Sequence, residues 1–309
     1  MIDKVINTKN IKGADTVILS APYEKGISFM DGTAEAPRKI LNCLNNTLEL
    51  FDANLLCEPA KILKTAHKEI SNLKKLKPKK AIEKIKIEYE KLFNEKKFII
   101  MLGGEHTVSL GAFNALSKKP ARNASSIADA GGEKSKDITI LQIDAHQDLR
   151  DDDRDYSNNP SKYTHSAVMR RAHELGFPIV QVGIRTFSKY EYNFWQKNKK
   201  NIEVFPWTKN AKIPAINEII KSIKTKKVYL SLDVDGIDPS FMPGTGTPVQ
   251  GGLDWNYTLN LIEKLFEKKE VIGADIVEVS PQHDSVLTEY GAAQLCYTIM
   301  TNKFRKKLK

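Results

Sequence analysis

ITILQIDAHQDLR, residues 138–150, starts as a strand and finishes as something else. Its first six residues are apolar or β-branched apart from one glutamine. The run is short for a helix and lacks the polar alternation of a half-exposed strand. It suits a strand covered on both faces, as parallel sheets require. The run then ends in Asp144, His146 and Asp148 at intervals of two, with Arg150 two residues further on. A buried strand gains nothing from two carboxylates and an imidazole at its tip, so these groups answer to something other than packing.

The same rhythm recurs along the chain. Strands are predicted at residues 16–22, 98–104, 138–145, 179–184, 202–207, 228–235 and 271–280. Helical patterns lie near 35–46, 78–96, 107–117, 165–175, 188–199, 213–224, 255–268 and 289–306. Strands alternating with helices, several of them nearly all apolar, imply a doubly wound α/β fold around a parallel sheet. A chain of 309 residues suits one large α/β domain over 1–309, and no internal repeat divides it. One stretch breaks the rhythm: SKKPARNASSIADAGGEKSKD, residues 117–137, is small, polar and charged without apolar periodicity. It is expected to be a surface-loop insertion between a helix and the 138–145 strand.

Composition narrows the class of function. The hydrophobic fraction of 41% fits a soluble globular protein with a sizeable core. The start, MIDKVINTKNIKG, has no apolar signal region, and no apolar run approaches the ~20 residues needed to cross a bilayer. Cys43, Cys57 and Cys296 are odd in number and far apart, as expected of reduced thiols in a cytoplasmic protein. A net charge of +10 raises nucleic acid or acidic lipid as partners. The positive residues, however, sit mostly in helix-like stretches such as residues 67–97, mixed with glutamates. That pattern describes a solvated lysine face, so neither nucleic acid nor a membrane is expected as a partner.

In open parallel sheets, sites form beyond the carboxyl ends of the strands. Four predicted strands here finish in related polar groups: GGEHT, DAHQD, DVDGIDP and EVSPQHD. Together they offer His106, Asp144, His146, Asp148, Asp233, Asp235 and Glu278. Singly, each has a bland explanation: a structural histidine, an Asx-rich turn, a helix cap. Jointly they do not, because four aspartates gathered at one sheet edge repel strongly in a low dielectric. Two divalent cations cancel those charges, so a dinuclear metal site is expected. Alternate strand residues share a face, so 144, 146 and 148 converge if the extended geometry continues, as do 233 and 235. Oxygen donors with two imidazoles and no thiolate suit Mn²⁺, with cobalt, zinc and iron left open.

The segments LGGEHTVSLG (102–111), IDAHQDLR (143–150), SLDVDGIDPSFMPGTGTPVQGGL (231–253) and DIVEVSPQHD (275–284) resemble, in this order, the signatures of the ureohydrolase family. That family includes arginases, agmatinases, guanidino-acid hydrolases and formiminoglutamases. The resemblance implies a three-layer α/β/α fold with a central, mostly parallel sheet of the arginase/deacetylase-like kind. It further implies two Mn²⁺ per subunit and a homo-oligomer, a trimer or a hexamer. Carried over by motif, His106, Asp148 and the shared Asp144 and Asp233 hold one metal. His146, Asp235 and the same shared aspartates hold the other. A metal-bridging hydroxide then attacks the guanidinium carbon, Asp148 moves the proton toward the departing nitrogen, and Glu278 pairs with the guanidinium. His165, in KYTHSAVMRR, takes the place of the family's proton-shuttling histidine. His67, His173 and His283 receive no role.

Within the family the resemblance leans toward agmatinase. Arg150 stands where arginases carry asparagine, DLRDDDRDY is of the agmatinase-like type, and PGTGTP (243–248) leans the same way. The expected reaction is hydrolysis of agmatine, a small cationic guanidino substrate, to urea and putrescine, a step of polyamine biosynthesis. The alternatives are another guanidino compound such as guanidinobutyrate, then formiminoglutamate, with arginine last. From a different class, a non-catalytic metal-containing scaffold would bind partners through the lysine-rich helices. Glu105 replaces the aspartate that many members place beside the histidine ligand.

Overall fold

The structure is a computed structural model that describes residues 4–25, 28–117 and 135–308. The strands are β1 (Thr16–Ala21), β2 (Thr65–Glu69), β3 (Phe98–Gly103), β4 (Ile138–Ile143), β5 (Ile179–Ile184), β6 (Ile202–Pro206), β7 (Lys227–Asp233) and β8 (Glu270–Val277). The helices are α1 (Ala36–Asn46), α2 (Pro59–Ile62), α3 (Pro78–Asn94), α4 (Ser109–Leu116), α5 (Val168–Glu174), α6 (Lys189–Lys197), α7 (Ile216–Ser222), α8 (Trp255–Lys268), α9 (Leu287–Lys303) and α10 (Arg305–Leu308). All these strands form one parallel sheet in the order β2-β1-β3-β8-β7-β4-β5-β6. The last strand in the chain thus lies near the middle of the sheet, between β3 and β7.

Helices cover both faces, giving the expected three-layer α/β/α arrangement. On one face α1, α7, α8 and α9 bury Ile40, Ile219, Leu261 and Ile299 against Ile18, Ile100, Leu141 and Leu230. On the other, α3, α4 and α5 bury Ile85, Phe113 and Met169 against Val17, Ile99, Ile140 and Tyr229. Successive strand residues therefore enter opposite cores, which is why the strands read as unbroken apolar runs. Each fully buried aliphatic side chain of this kind contributes roughly 1.5–3 kcal/mol.

Two elements escaped the sequence reading. The short α2 precedes β2, whose five residues TAHKE include four that are polar or charged. Among the described residues β2 pairs only with β1, and its burial fades from Thr65 and Ala66 to exposed Glu69. Charge on an edge strand discourages pairing with other chains, and it also conceals the strand from a search for apolar runs. Of the expected insertion at 117–137, residues 118–134 lie outside the described residues. Ser135–Asp137 form a 3₁₀ turn that leads into β4.

Three strands stop sooner than their apolar runs suggest. β4 ends at Ile143, β7 at Asp233 and β8 at Val277. The chain leaves extended geometry where its polar groups begin, and β3, β8, β7 and β4 present those groups side by side at their carboxyl ends.

Candidate metal centre and its cavity

After β3 the backbone passes unusually close to a neighbouring segment. A Cβ on Gly104 would lie 2.0 Å from the Tyr23 carbonyl oxygen, so only glycine fits. Glu105 then caps the 3₁₀ turn His106–Val108, accepting the Thr107 N–H at 3.3 Å, while its other oxygen accepts the Lys25 N–H at 3.2 Å. His106 is fully buried, and its N–H donates to Glu278 Oε1 at 2.7 Å. Glu105 therefore supports the backbone around His106 rather than the imidazole. Burial pushes its carboxyl up to about 7, against the opposing hydrogen bonds from Thr107 and Lys25.

Beyond β4, Asp144 is held by two donors, Gln142 Nε2 on Oδ2 and the His146 N–H on Oδ1, both at 2.6 Å. The expectation that 144, 146 and 148 converge by strand alternation is not met, because the extended segment ends at Ile143. Asp148 instead takes a left-handed backbone, φ 53°, and its carbonyl accepts the Met169 and Arg170 N–H groups at 3.0 Å. Asp233 closes β7, but Asp235 sits on the 3₁₀ turn Val234–Gly236, bound through its N–H to Asp233 Oδ1 at 2.9 Å. Gly236 lets this turn press against β4, since a Cβ there would fall 2.5 Å from the Asp144 nitrogen. Glu278 is also left-handed, φ 64°. Strand alternation thus does not direct its side chain either. A non-glycine residue held in this region costs of order 1–3 kcal/mol, a strain that clusters at functional sites.

The outcome is a compact array. His106 Nδ1 lies 3.0 Å from Asp148 Oδ2, 3.3 Å from Asp144 Oδ2 and 3.5 Å from Asp233 Oδ2. His146 Nδ1 lies 2.9 Å from Asp235 Oδ2 and 3.6 Å from Asp144 Oδ1. His106, Asp144 and Asp233 form one group able to hold a metal ion, and Asp144, His146 and Asp235 form another. Asp144 faces each group with a different oxygen. Burial, reinforced by the neighbouring carboxylates, raises the Asp148 and Asp233 carboxyls. Burial alone would lower the His106 and His146 rings, but the surrounding aspartates hold both well above the usual histidine range. His106 Nδ1 is buried without a properly directed hydrogen bond. An orphaned imidazole nitrogen facing three carboxylate oxygens is the environment a divalent cation satisfies, so the residues fit a metal pair.

Above this array opens a cavity of about 330 Å³, lined by His146, Asp148, Asp233, Asp235 and Glu278 at its floor. His165, on a 3₁₀ turn, lines the wall. Its ring stacks on Tyr156 with centroids 5.9 Å apart, and its Nδ1 lies 4.0 Å from Glu105 Oε2. Arg150 also lines the cavity, but it forms an ion pair with Asp155, approaches Glu191 Oε2 at 3.8 Å and lies over the Tyr156 ring. It braces the loop that follows it and walls the cavity at once. A second cavity of about 290 Å³ adjoins the first across Arg150 and Ser188, which line both. His67, His173 and His283 line neither.

Two residues near the centre escaped the sequence reading. Glu191, buried to 3% exposure, forms a capping box with Ser188 and accepts the Leu149 N–H at 3.1 Å from the cavity wall. The S-x-x-E spacing was readable as a helix start, not as part of a site. Arg185, immediately after β5, makes six hydrogen bonds to five backbone carbonyls, those of Gly183, Asp235, Gly236, Val249 and Gln250. Its signal was a lone cation at a strand end among motifs otherwise rich in carboxylates.

Residues 14–301 match the arginase family. The chain is 35% identical to the N(1)-aminopropylagmatine ureohydrolase of Synechocystis sp., over 93% of this chain and 88% of that one. It is 36% identical to the agmatinase of Blochmanniella floridana, over 67% of this chain and 60% of that one. Among solved structures, the agmatine ureohydrolase of Thermoplasma volcanium superposes with a TM-score of 0.76 at 27% identity, covering 99% of this chain and 96% of that one.

Proposed function

This chain belongs to the arginase family, and we propose that it hydrolyses the guanidinium group of agmatine to urea and putrescine. Two Mn²⁺ ions would be held by His106, Asp148, Asp144 and Asp233, and by His146, Asp235 and the same two shared aspartates. The observation that carries this reading is the pair of histidine–carboxylate groups meeting at Asp144 on the floor of a cavity that also holds Glu278. Bound divalent cations would supply Lewis acidity that makes water nucleophilic near neutral pH.

The chain's own residues account for the remaining tasks. Glu278 gives one oxygen to the His106 N–H, leaving the other for a guanidinium N–H. Asp148, within 3.0 Å of His106 Nδ1 and facing the cavity, carries the proton to the departing nitrogen. His165 exchanges protons with solvent from the cavity wall, its ring fixed by Tyr156. Arg150 is engaged by Asp155 and Glu191, which disfavours an anionic tail such as that of guanidinobutyrate. A cytoplasmic homo-oligomer, trimeric or hexameric, and a single domain over residues 1–309 complete the proposal.

A second reading has a specific observation in its favour. The adjoining cavity, which shares Arg150 and Ser188 with the first, gives room for a longer tail beyond Arg150 and carries Asp151, Asp152 and Asp155 beside Arg150, Arg154 and Arg170. N(1)-aminopropylagmatine, the substrate in the name of the Synechocystis relative, has such a tail. Urea release by Mn²⁺-loaded protein from agmatine, N(1)-aminopropylagmatine, guanidinobutyrate and arginine, with formiminoglutamate tested alongside, separates the readings. Turnover should be fastest with one of the first two. Metal retention with no turnover of any compound would replace the enzyme with the metal-containing scaffold.

A further inference from the structure

Beneath the candidate centre, on the side away from the cavity, runs a line of buried polar groups. His106 Nε2 lies 2.9 Å from Ser231 Oγ, and Ser231 Oγ donates to Asp275 Oδ1 at 2.8 Å. All three residues are 0% exposed. Ser231 on β7 and Asp275 on β8 are direct partners in the sheet register, so the link is built into the fold. Asp275 lines neither the catalytic cavity nor the adjoining one. A carboxylate inside a sheet is costly to bury, and an aliphatic residue would pack there without that cost.

The other oxygen of Asp275, Oδ2, is buried without a directed hydrogen bond, as are the Ser109 and Tyr229 hydroxyls that lie near it. Tyr89 reaches toward Tyr229 from α3. A Cβ on residue 273 would fall 2.2 Å from the Tyr89 hydroxyl, so Gly273 leaves the room that hydroxyl occupies.

Donor arithmetic fixes the direction of the chain. A serine hydroxyl has one proton, and Ser231 gives it to Asp275, so Ser231 must accept from His106. His106 Nε2 then carries hydrogen, and Nδ1, facing Asp144, Asp148 and Asp233, is the nitrogen left for a cation. We infer that Asp275, acting through Ser231, is a positioning residue that holds His106 with Nδ1 toward the carboxylates and thereby sets how tightly the cation beside His106 is retained. The inference rests on the two-cation reading of the centre.

The test is metal counting and Mn²⁺ titration calorimetry on the full chain, for wild type, Ser231→Ala, Asp275→Asn and Ser231→Thr. Ser231→Ala should retain one ion per subunit after dialysis and bind the second about 10–100-fold more weakly. Its paramagnetic resonance spectrum should change from a coupled pair to a single Mn²⁺. Asp275→Asn, which keeps an acceptor but loses the charge, should fall between Ser231→Ala and wild type. Ser231→Thr should restore both ions. Wild-type affinity for both ions in Ser231→Ala would overturn the inference, as would equal weakening of both ions. Failure of the wild-type chain itself to bind Mn²⁺ would instead strike the two-cation reading.

Discussion

Replacing Arg185 with methionine keeps most of the side chain's length and removes only its fork of donors. Five backbone carbonyls from three separate segments lose their partner: Gly183 at the end of β5, Asp235 and Gly236 after β7, and Val249 and Gln250 in the following loop. Hydrogen bonds to a charged group contribute about 1.5–3 kcal/mol each when buried, but the Val249–Gln250 side is open to water, which recovers part of the loss. Arg185→Met should therefore destabilise the protein by about 3–5 kcal/mol, a large part of the 5–15 kcal/mol typical of a folded domain. The guanidinium has no carboxylate within ion-pair distance among the described residues, and burial holds it below the usual arginine range against the opposing pull of Asp235, Asp144, Asp238 and Asp233. Its charge thus offsets the aspartate cluster when no cation does, so the loss should be larger in metal-free than in Mn²⁺-loaded protein. Urea denaturation followed by circular dichroism, with and without Mn²⁺, measures both. Arg185→Lys should recover less than half, because one ammonium cannot reach three segments. A loss below about 1 kcal/mol, or full recovery by lysine, would refute the clamp.

Asp148→Asn should abolish urea release and weaken metal retention without lowering the melting temperature of the metal-free protein, since asparagine tolerates φ 53° and one repelling carboxylate is gone. Calorimetry and melting curves on one preparation check both halves. His106 and His146 are held above their ordinary range, so both carry protons at neutral pH in the metal-free site and must lose them to bind metal. Apparent Mn²⁺ affinity should therefore fall about tenfold per expelled proton for each pH unit lowered, and titration in buffers of different ionisation enthalpy should show proton release. By the same shifts, the stabilisation these rings lend the metal-free fold is complete below about pH 6.5 and fades as pH rises through their raised values. Arg150→Ala removes the wall shared by the two cavities and should raise the kcat/KM ratio of N(1)-aminopropylagmatine to agmatine. An unchanged ratio would deny the adjoining cavity a part in substrate length.

The architecture was largely legible because buried parallel strands and amphipathic helices write different periods into the sequence. β2 was not, since an edge strand buries too little of TAHKE to show a pattern. The array of aspartates and histidines was also legible, because chemistry of one kind gathered at four strand ends has few structural uses. How those groups converge was not. The left-handed backbones at Asp148 and Glu278 replace the alternation that a strand would supply, and nothing in the identity of an aspartate or glutamate announces them. Ser231 and Asp275 stand 44 residues apart and meet only through the register of β7 and β8. Neighbourhood in the sheet, unlike composition, is settled by the whole chain at once.

The place of β8 sets a timetable for synthesis. His106 belongs to the half of the sheet made of β2, β1 and β3, whereas Asp144, His146, Asp148, Asp233 and Asp235 follow strands of the half made of β7, β4, β5 and β6. Among the described residues, nothing in the ladder joins the two halves except β8, which brings Glu278 at its end. A nascent chain halted before residue 270 lacks that strand. Parallel strands distant in sequence pair slowly, so its insertion is expected as a late step of folding, and capture of an ion is expected to follow it.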